Sequence, residues 1–136
     1  MSYLVVQEAF NAYIDESRPI DKLWSGGLWC EGPCYLPKGA AASDGSPALV
    51  WSDIPNNRML SWDERSGQVS EFRNPSHFTN GHTRDLAGNL VSCEHGRRCI
   101  SRTEASGGAF PEFGCVSFWF PLSFCVCSID CFNLVD

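Results

Sequence analysis

Positive charge is scarce in this sequence: 10 Lys and Arg stand against 16 Asp and Glu, for a formal net charge of -6. With no basic stripe to displace counterions from phosphates, nucleic acid is excluded as a partner. A basic n-region is absent from the start, Met1-Ser2-Tyr3-Leu4-Val5-Val6-Gln7-Glu8, and the apolar run there spans only a few residues, which argues against a secretory signal. No C-x-x-C pair occurs among Cys30, Cys34, Cys93, Cys99, Cys115, Cys125, Cys127 and Cys131, so a structural zinc site is not expected. Nothing marks secretion, so these thiols read as reduced and mostly buried, in a cytoplasmic protein. The nucleophile elbow G-x-S-x-G, the P-loop and the dinucleotide fingerprint are all missing, which removes three common enzyme classes.

What remains is a chain of 136 residues, long enough for one domain, with 43% hydrophobic and 19% charged residues. Three zones differ in texture. Residues 1–23 form a lead-in in which Gln7 to Ile14 reads as a short helix, and Pro19 ends any such segment. Residues 24–104 carry short apolar runs between Gly, Asn and Asp turn signals, the pattern of an all-β region. Residues 105–136 change character abruptly.

The middle zone repeats. Asp44, Leu49, Val50, Ser52 and Asp53 align with Asp85, Leu90, Val91, Cys93 and Glu94 at a spacing of 41. With one residue dropped near Asn57, Arg58-Met59-Leu60-Ser61 aligns with Arg98-Cys99-Ile100-Ser101 at 40, and Glu64 with Glu104. A hairpin is explicit in the first copy, where Met59–Trp62 and Val69–Phe72 flank Glu64-Arg65-Ser66-Gly67. A period of about 40 residues with several short strands per unit predicts propeller blades; two unrelated hairpins of a β-sandwich are the alternative.

Ahead of each Leu-Val strand stands a polar residue followed by glycine, Glu31-Gly32 in the first copy and Asn80-Gly81 in the second. These should open the innermost strands, so Glu31 and Asn80 are expected to project toward one channel mouth. Glu31 lies in an apolar run, Trp29-Cys30-Glu31-Gly32-Pro33, where a carboxylate is costly to bury without a cation or donors. Carboxylate and amide oxygens suit hard cations, although an exposed turn glutamate and a plain Asn-Gly hairpin turn explain the same residues. His82 is either a channel-lining residue or a satisfied strand histidine. Asp53, before Ile54-Pro55-Asn56-Asn57, reads as a turn former bonded to nearby backbone amides.

Trp29-Cys30-Glu31-Gly32-Pro33, Leu49-Val50-Trp51-Ser52-Asp53-Ile54-Pro55-Asn56-Asn57-Arg58, Asn80-Gly81-His82-Thr83 and Ser92-Cys93-Glu94-His95-Gly96 together resemble the gluconolactonase branch of the gluconolactonase/regucalcin (senescence marker protein) family. The likeness is collinear and covers residues 20–104, the N-terminal part of the family fold. It implies an all-β chain holding about two blades of a six-bladed propeller, with one divalent cation (Ca, Zn, Mg or Mn) in the channel. It also implies a sugar lactone as substrate, opened by a Lewis-acid metal. Glu31 matches the family's metal-ligating glutamate; Asn80 and His82 match a family motif as substrate or channel candidates. The later ligands, an Asn and an Asp, have no counterpart in this chain.

Completing six blades would take roughly another 170 residues, and the tail is foreign to the family. No Lys or Arg follows Arg102, and residues 105–136 hold four of the eight cysteines and six of the nine phenylalanines. Such a composition is expected of translation out of frame or into an intron. The uncharged stretch 113–129 is short for a membrane anchor and contains Pro121. The expectation is therefore a truncated, inactive lactonase, with a non-catalytic fragment or a divalent-cation binder as alternatives.

Overall fold

In the computed structural model the described residues are 6–15, 17–37 and 45–104, with the backbone alone of 112–113. Asp44 and most of the tail, including the 113–129 stretch beyond its first residue, lie outside them. A short 3-10 helix, Glu8–Tyr13, stands where the sequence predicts a helix, and it buries none of its residues. No helix among the described residues is long and apolar enough to cross a membrane.

Eight strands follow: β1 (Cys30–Leu36), β2 (Ala48–Asp53), β3 (Arg58–Asp63), β4 (Val69–Arg73), β5 (Thr79–Arg84), β6 (Leu90–Glu94), β7 (Cys99–Thr103) and β8 (Glu112–Phe113). They form two four-stranded antiparallel meanders, β1-β2-β3-β4 and β5-β6-β7-β8, the two propeller blades that the repeat predicts.

Turn chemistry explains why the chain reverses where it does. Asp63 accepts a hydrogen bond from the Ser66 amide at 2.6 Å, and Gly67 takes the left-handed conformation (φ 69) that closes the β3–β4 hairpin. Asp85 does the same for the β5–β6 turn, accepting from the Ala87 and Asn89 amides at 2.9 Å each.

One detail of the repeat differs from the sequence alignment. Asp53 pairs with Arg58 and Glu94 pairs with Cys99, and both turns between hold four residues. Asn57 (φ 51) and Arg98 (φ 55) occupy the same left-handed last position. The spacing of 41 thus runs unbroken through the hairpin, and the structural equivalent of Arg58 is Cys99. Residue identity suggested a gap; turn geometry and ladder register remove it.

The blades stack face to back. Leu36, Cys34, Val50 and Met59 of the first sheet pack with Leu90 of the second, and Phe72 covers their edge. Each fully buried side chain of this kind contributes roughly 1.5–3 kcal/mol. The remainder of the contact is polar, with Ser52, Thr79, Ser92 and Ser101 all buried. An ion pair crosses it too: Arg73 at the end of β4 reaches Glu94 of β6 at 3.2 Å, and the Glu94 side chain is wholly buried. Trp51 and Asp53 point to the other side of the first blade. The Trp24 ring lies tilted against Trp51 at 6.0 Å, and the Leu28 amide bonds Asp53, so the segment just ahead of β1 covers that face.

Candidate functional site

At the end of the strands where β2 turns into β3, the inner strands β1 and β5 lie side by side. Both carry a bulge there, between Glu31 and Cys34 in one and between Thr79 and His82 in the other. A bulge places two residues against one and re-aims the side chains. In β1 the bulge includes Gly32 at φ 63; a Cβ at this residue would lie 2.0 Å from the Asn80 carbonyl oxygen and 2.9 Å from Cδ2 of His82. Glu31 and Asn80 therefore sit on directly adjoining strands at one end of the two blades.

Beside them lies a half-open depression of about 190 Å³, lined by Trp29, Ile54, Phe78, Asn80, Cys93 and His95. Its wall is mainly apolar, with the Asn80 amide and the His95 ring as polar groups. The indole Nε1 of Trp29 donates to Glu31 Oε1 at 2.7 Å, which orients the carboxylate at the rim. The approach to β5 is held by Asn57, whose Oδ1 accepts from the Phe78 amide at 2.9 Å while its carbonyl accepts from the Ser76 amide at 2.7 Å. His77 and Phe78 are both left-handed (φ 58 and 56), a conformation costly for large side chains. The Gly96 amide bonds the His77 carbonyl at 2.8 Å, so the second blade's turn secures the same segment.

His82 does not line this depression. It lies between the sheets with Nε2 at 2.8 Å from Ser52 Oγ and Nδ1 at 2.8 Å from Ser92 Oγ. Burial, helped by the Arg73 guanidinium, pushes its pKa down to about 3, so the ring is neutral. The Ser52–His82 pair has the reach of a nucleophile and its base, but Ser52 is completely buried and meets no substrate. Asp53 is likewise saturated. Burial raises its pKa, but hydrogen bonds from Asn56, the Leu28 amide and Arg58 outweigh that and lower it overall. Its role is wider than a local turn, since Leu28 lies 25 residues upstream. Glu94, within a family-like motif, is committed to Arg73 and Arg97.

As a cation site the described residues are incomplete. Glu31 and Asn80 offer one carboxylate and one amide, and one Glu31 oxygen already accepts from Trp29. Among the described residues no group of three or more His, Cys, Asp or Glu could hold a metal ion. A calcium ion takes 6–8 oxygens, so these residues alone do not fit one. Sequence reasoning reached Glu31 and Asn80 through the repeat. It missed Trp29 as the partner of Glu31, and Phe78 and Cys93 as lining, because those contacts depend on how one blade sits on the next.

Comparison with known proteins gives a consistent picture. No family model matches the chain, and no curated protein matches it. Among solved structures, one assigned as a gluconolactonase is similar over 68% of this chain and 29% of its own length, at 37% identity and a TM-score of 0.58. A gluconolactonase from Xanthomonas campestris, important in glucose secondary metabolic pathways, is similar over 63% of this chain and 26% of its own length, at 38% identity and a TM-score of 0.52. The chain thus spans less than a third of the length of either protein.

Proposed function

The chain belongs, through its two N-terminal blades, to the gluconolactonase family, and from that premise we propose that it carries part of the site of a metal-dependent sugar-lactone hydrolase. The observation that supports this reading is the close approach of the two bulged strands that carry Glu31 and Asn80, beside an apolar depression that Asn80 lines. In this reading Glu31 would be one ligand of the divalent cation, and Asn80 would hydrogen-bond the lactone. Trp29 and Phe78 present flat apolar surface to the sugar ring. The bound cation would act as a Lewis acid on the lactone carbonyl. Because the described residues do not complete its coordination, no step through the metal is derived from them.

The test is glucono-1,5-lactone opening by the full chain, followed by acid release, with Ca²⁺, Zn²⁺, Mg²⁺ or Mn²⁺ added in turn. Cation-dependent opening that disappears in Glu31→Gln supports the hydrolase; opening that is indifferent to both cation and Glu31 contradicts it. A second reading, a cation-binding or non-catalytic blade pair, is favoured by the shortage of ligands among the described residues. It predicts no turnover with any cation, with binding at Glu31 distinguishing a cation binder from an inert fragment.

A further inference from the structure

The contact between the two blades contains one continuous polar chain, and it runs between the sheets behind the bulges that carry Glu31 and Asn80. Ser92 Oγ on β6 lies 2.8 Å from His82 Nδ1 on β5; His82 Nε2 lies 2.8 Å from Ser52 Oγ on β2; and Ser52 Oγ lies 2.8 Å from Thr79 Oγ1, back on β5. Ser52, Ser92 and Thr79 are all fully buried. A neutral imidazole has one donor and one acceptor nitrogen, and each hydroxyl has a single proton. A proton on Nδ1 makes Ser52 the donor to Nε2 and Thr79 the donor to Ser52, whereas a proton on Nε2 makes Ser92 the donor to Nδ1 and Ser52 the acceptor; in either case each bond polarises the next.

Members of this chain adjoin the residues that matter. Ser52 is the ladder partner of Glu31, and Thr79 and His82 bracket the β5 bulge that contains Asn80. Thr79 directly precedes Asn80 in the chain. The His82 ring also faces Gly32, with 2.9 Å between Cδ2 and the place where a Gly32 Cβ would be. One side chain thus touches the bulge of β1, is part of the bulge of β5, and is bonded to the strand behind each.

We propose that His82 is a positioning residue: by joining Ser52 to Ser92 it locks the bulges of β1 and β5 against each other and sets the separation of Glu31 from Asn80. Its relevance to turnover rests on the lactonase reading above; the geometric claim does not. The role is distinct from lining a channel or acting as a base, since both ring nitrogens are already engaged between the sheets. A correctly oriented first strand alone would leave Glu31 free to shift relative to the neighbouring blade. Misplacing a reacting group by about 1 Å can cost about a hundredfold in rate.

The test uses the full chain with three substitutions. His82→Gln can place an amide group near the Nε2 position and keep the Ser52 bond, His82→Asn can keep only the Ser92 bond, and His82→Phe keeps neither. Two-dimensional NMR follows the Gly32 amide, the Asn80 side-chain amide and the Trp29 indole N–H. The expected order of displacement is Phe largest, Asn next and Gln smallest, with the Gly32 and Trp29 signals of the other blade moving as well as Asn80. Displacements confined to β5 and β6, or equal in all three variants, overturn the proposal. Where His82→Phe does not fold, Ser52→Ala removes the same inter-blade bond with a smaller lesion and must move the same signals.

Kinetics supply an independent arm. Relative to the unmodified chain, kcat for gluconolactone should fall at least about tenfold in His82→Phe with KM little changed, and recover in part in His82→Gln. Equal kcat losses in all three variants count against positioning. Absence of turnover in the unmodified chain overturns the lactonase reading alone, and the NMR arm then decides the clamp.

Discussion

Gly32 and Asn80 touch across the blade boundary: a single added carbon on Gly32 would stand 2.0 Å from the Asn80 carbonyl oxygen. No Cβ fits at that distance, and φ of 63 is itself unfavourable for any other residue. The glycine after Glu31 is therefore what allows the inner strands to approach closely enough to bring two polar side chains to one rim.

Gly32→Ala should accordingly destabilise the chain by about 2–4 kcal/mol, the sum of left-handed strain and overpacking. Urea unfolding checks this through a lowered midpoint at unchanged m-value. A change under about 0.5 kcal/mol would mean that the strands are not in contact there.

Leu90 tests the stacking of the blades, because among the described residues it is the one second-blade member of the buried apolar cluster. Leu90→Ala should cost about 2–5 kcal/mol. Leu86→Ala, at a position that is 100% exposed, should stay within about 0.5 kcal/mol. Equal effects in the two variants would contradict the face-to-back packing.

Much of this was legible before any coordinates. The spacing of 41 between Leu49-Val50 and Leu90-Val91 exposed the blade repeat, because hairpin turns need Gly, Asn and Asp at fixed places. The Glu31-Gly32 and Asn80-Gly81 pairs marked the inner strands for the same reason. The alignment erred at Arg58 and Arg98, where matching side chains masked a hydrogen-bond register that places Arg58 level with Cys99. His82 was ambiguous because Ser92, 10 residues away, meets it only once the β5–β6 register is set, and Ser52, 30 residues away, only when the blades stack. The Arg73–Glu94 pair was invisible for the same reason.

That pair is the basis of a third expectation. Arg73 carries a guanidinium whose burial lowers its pKa despite Glu94, so the charges depend on each other. Arg73→Leu should destabilise by about 3–5 kcal/mol, because it removes one of the cations neutralising a buried carboxylate. Adding Glu94→Leu should restore part of that loss, a positive coupling in a double-mutant cycle. Additive losses would show that the two side chains act separately.

Acid should loosen the blades through His82. Its folded pKa of about 3 lies below the ordinary value of 6.5, so between these values the unfolded chain binds more protons. Stability is then fully present above pH 6.5 and falls as pH drops toward 3, by on the order of a few kcal/mol. Asp63, held near 2 by the Ser46 hydroxyl and the Ser66 amide, adds to the loss below about pH 4. Thermal melts across pH 7 to 4 should show this slope in the unmodified chain and a flatter one in His82→Gln. A slope unchanged by that substitution would assign the acid sensitivity elsewhere.

The placement of a cation at the Glu31–Asn80 rim is tested most directly by titrating Mn²⁺ into the chain and following NMR line broadening. A paramagnetic ion bound there should first erase the Gly32 amide, the Asn80 side-chain amide and the Trp29 indole signals, and Glu31→Gln should abolish that selectivity. Broadening that begins instead at the Asp63 or Asp85 turns, at the far end of the strands, would contradict it.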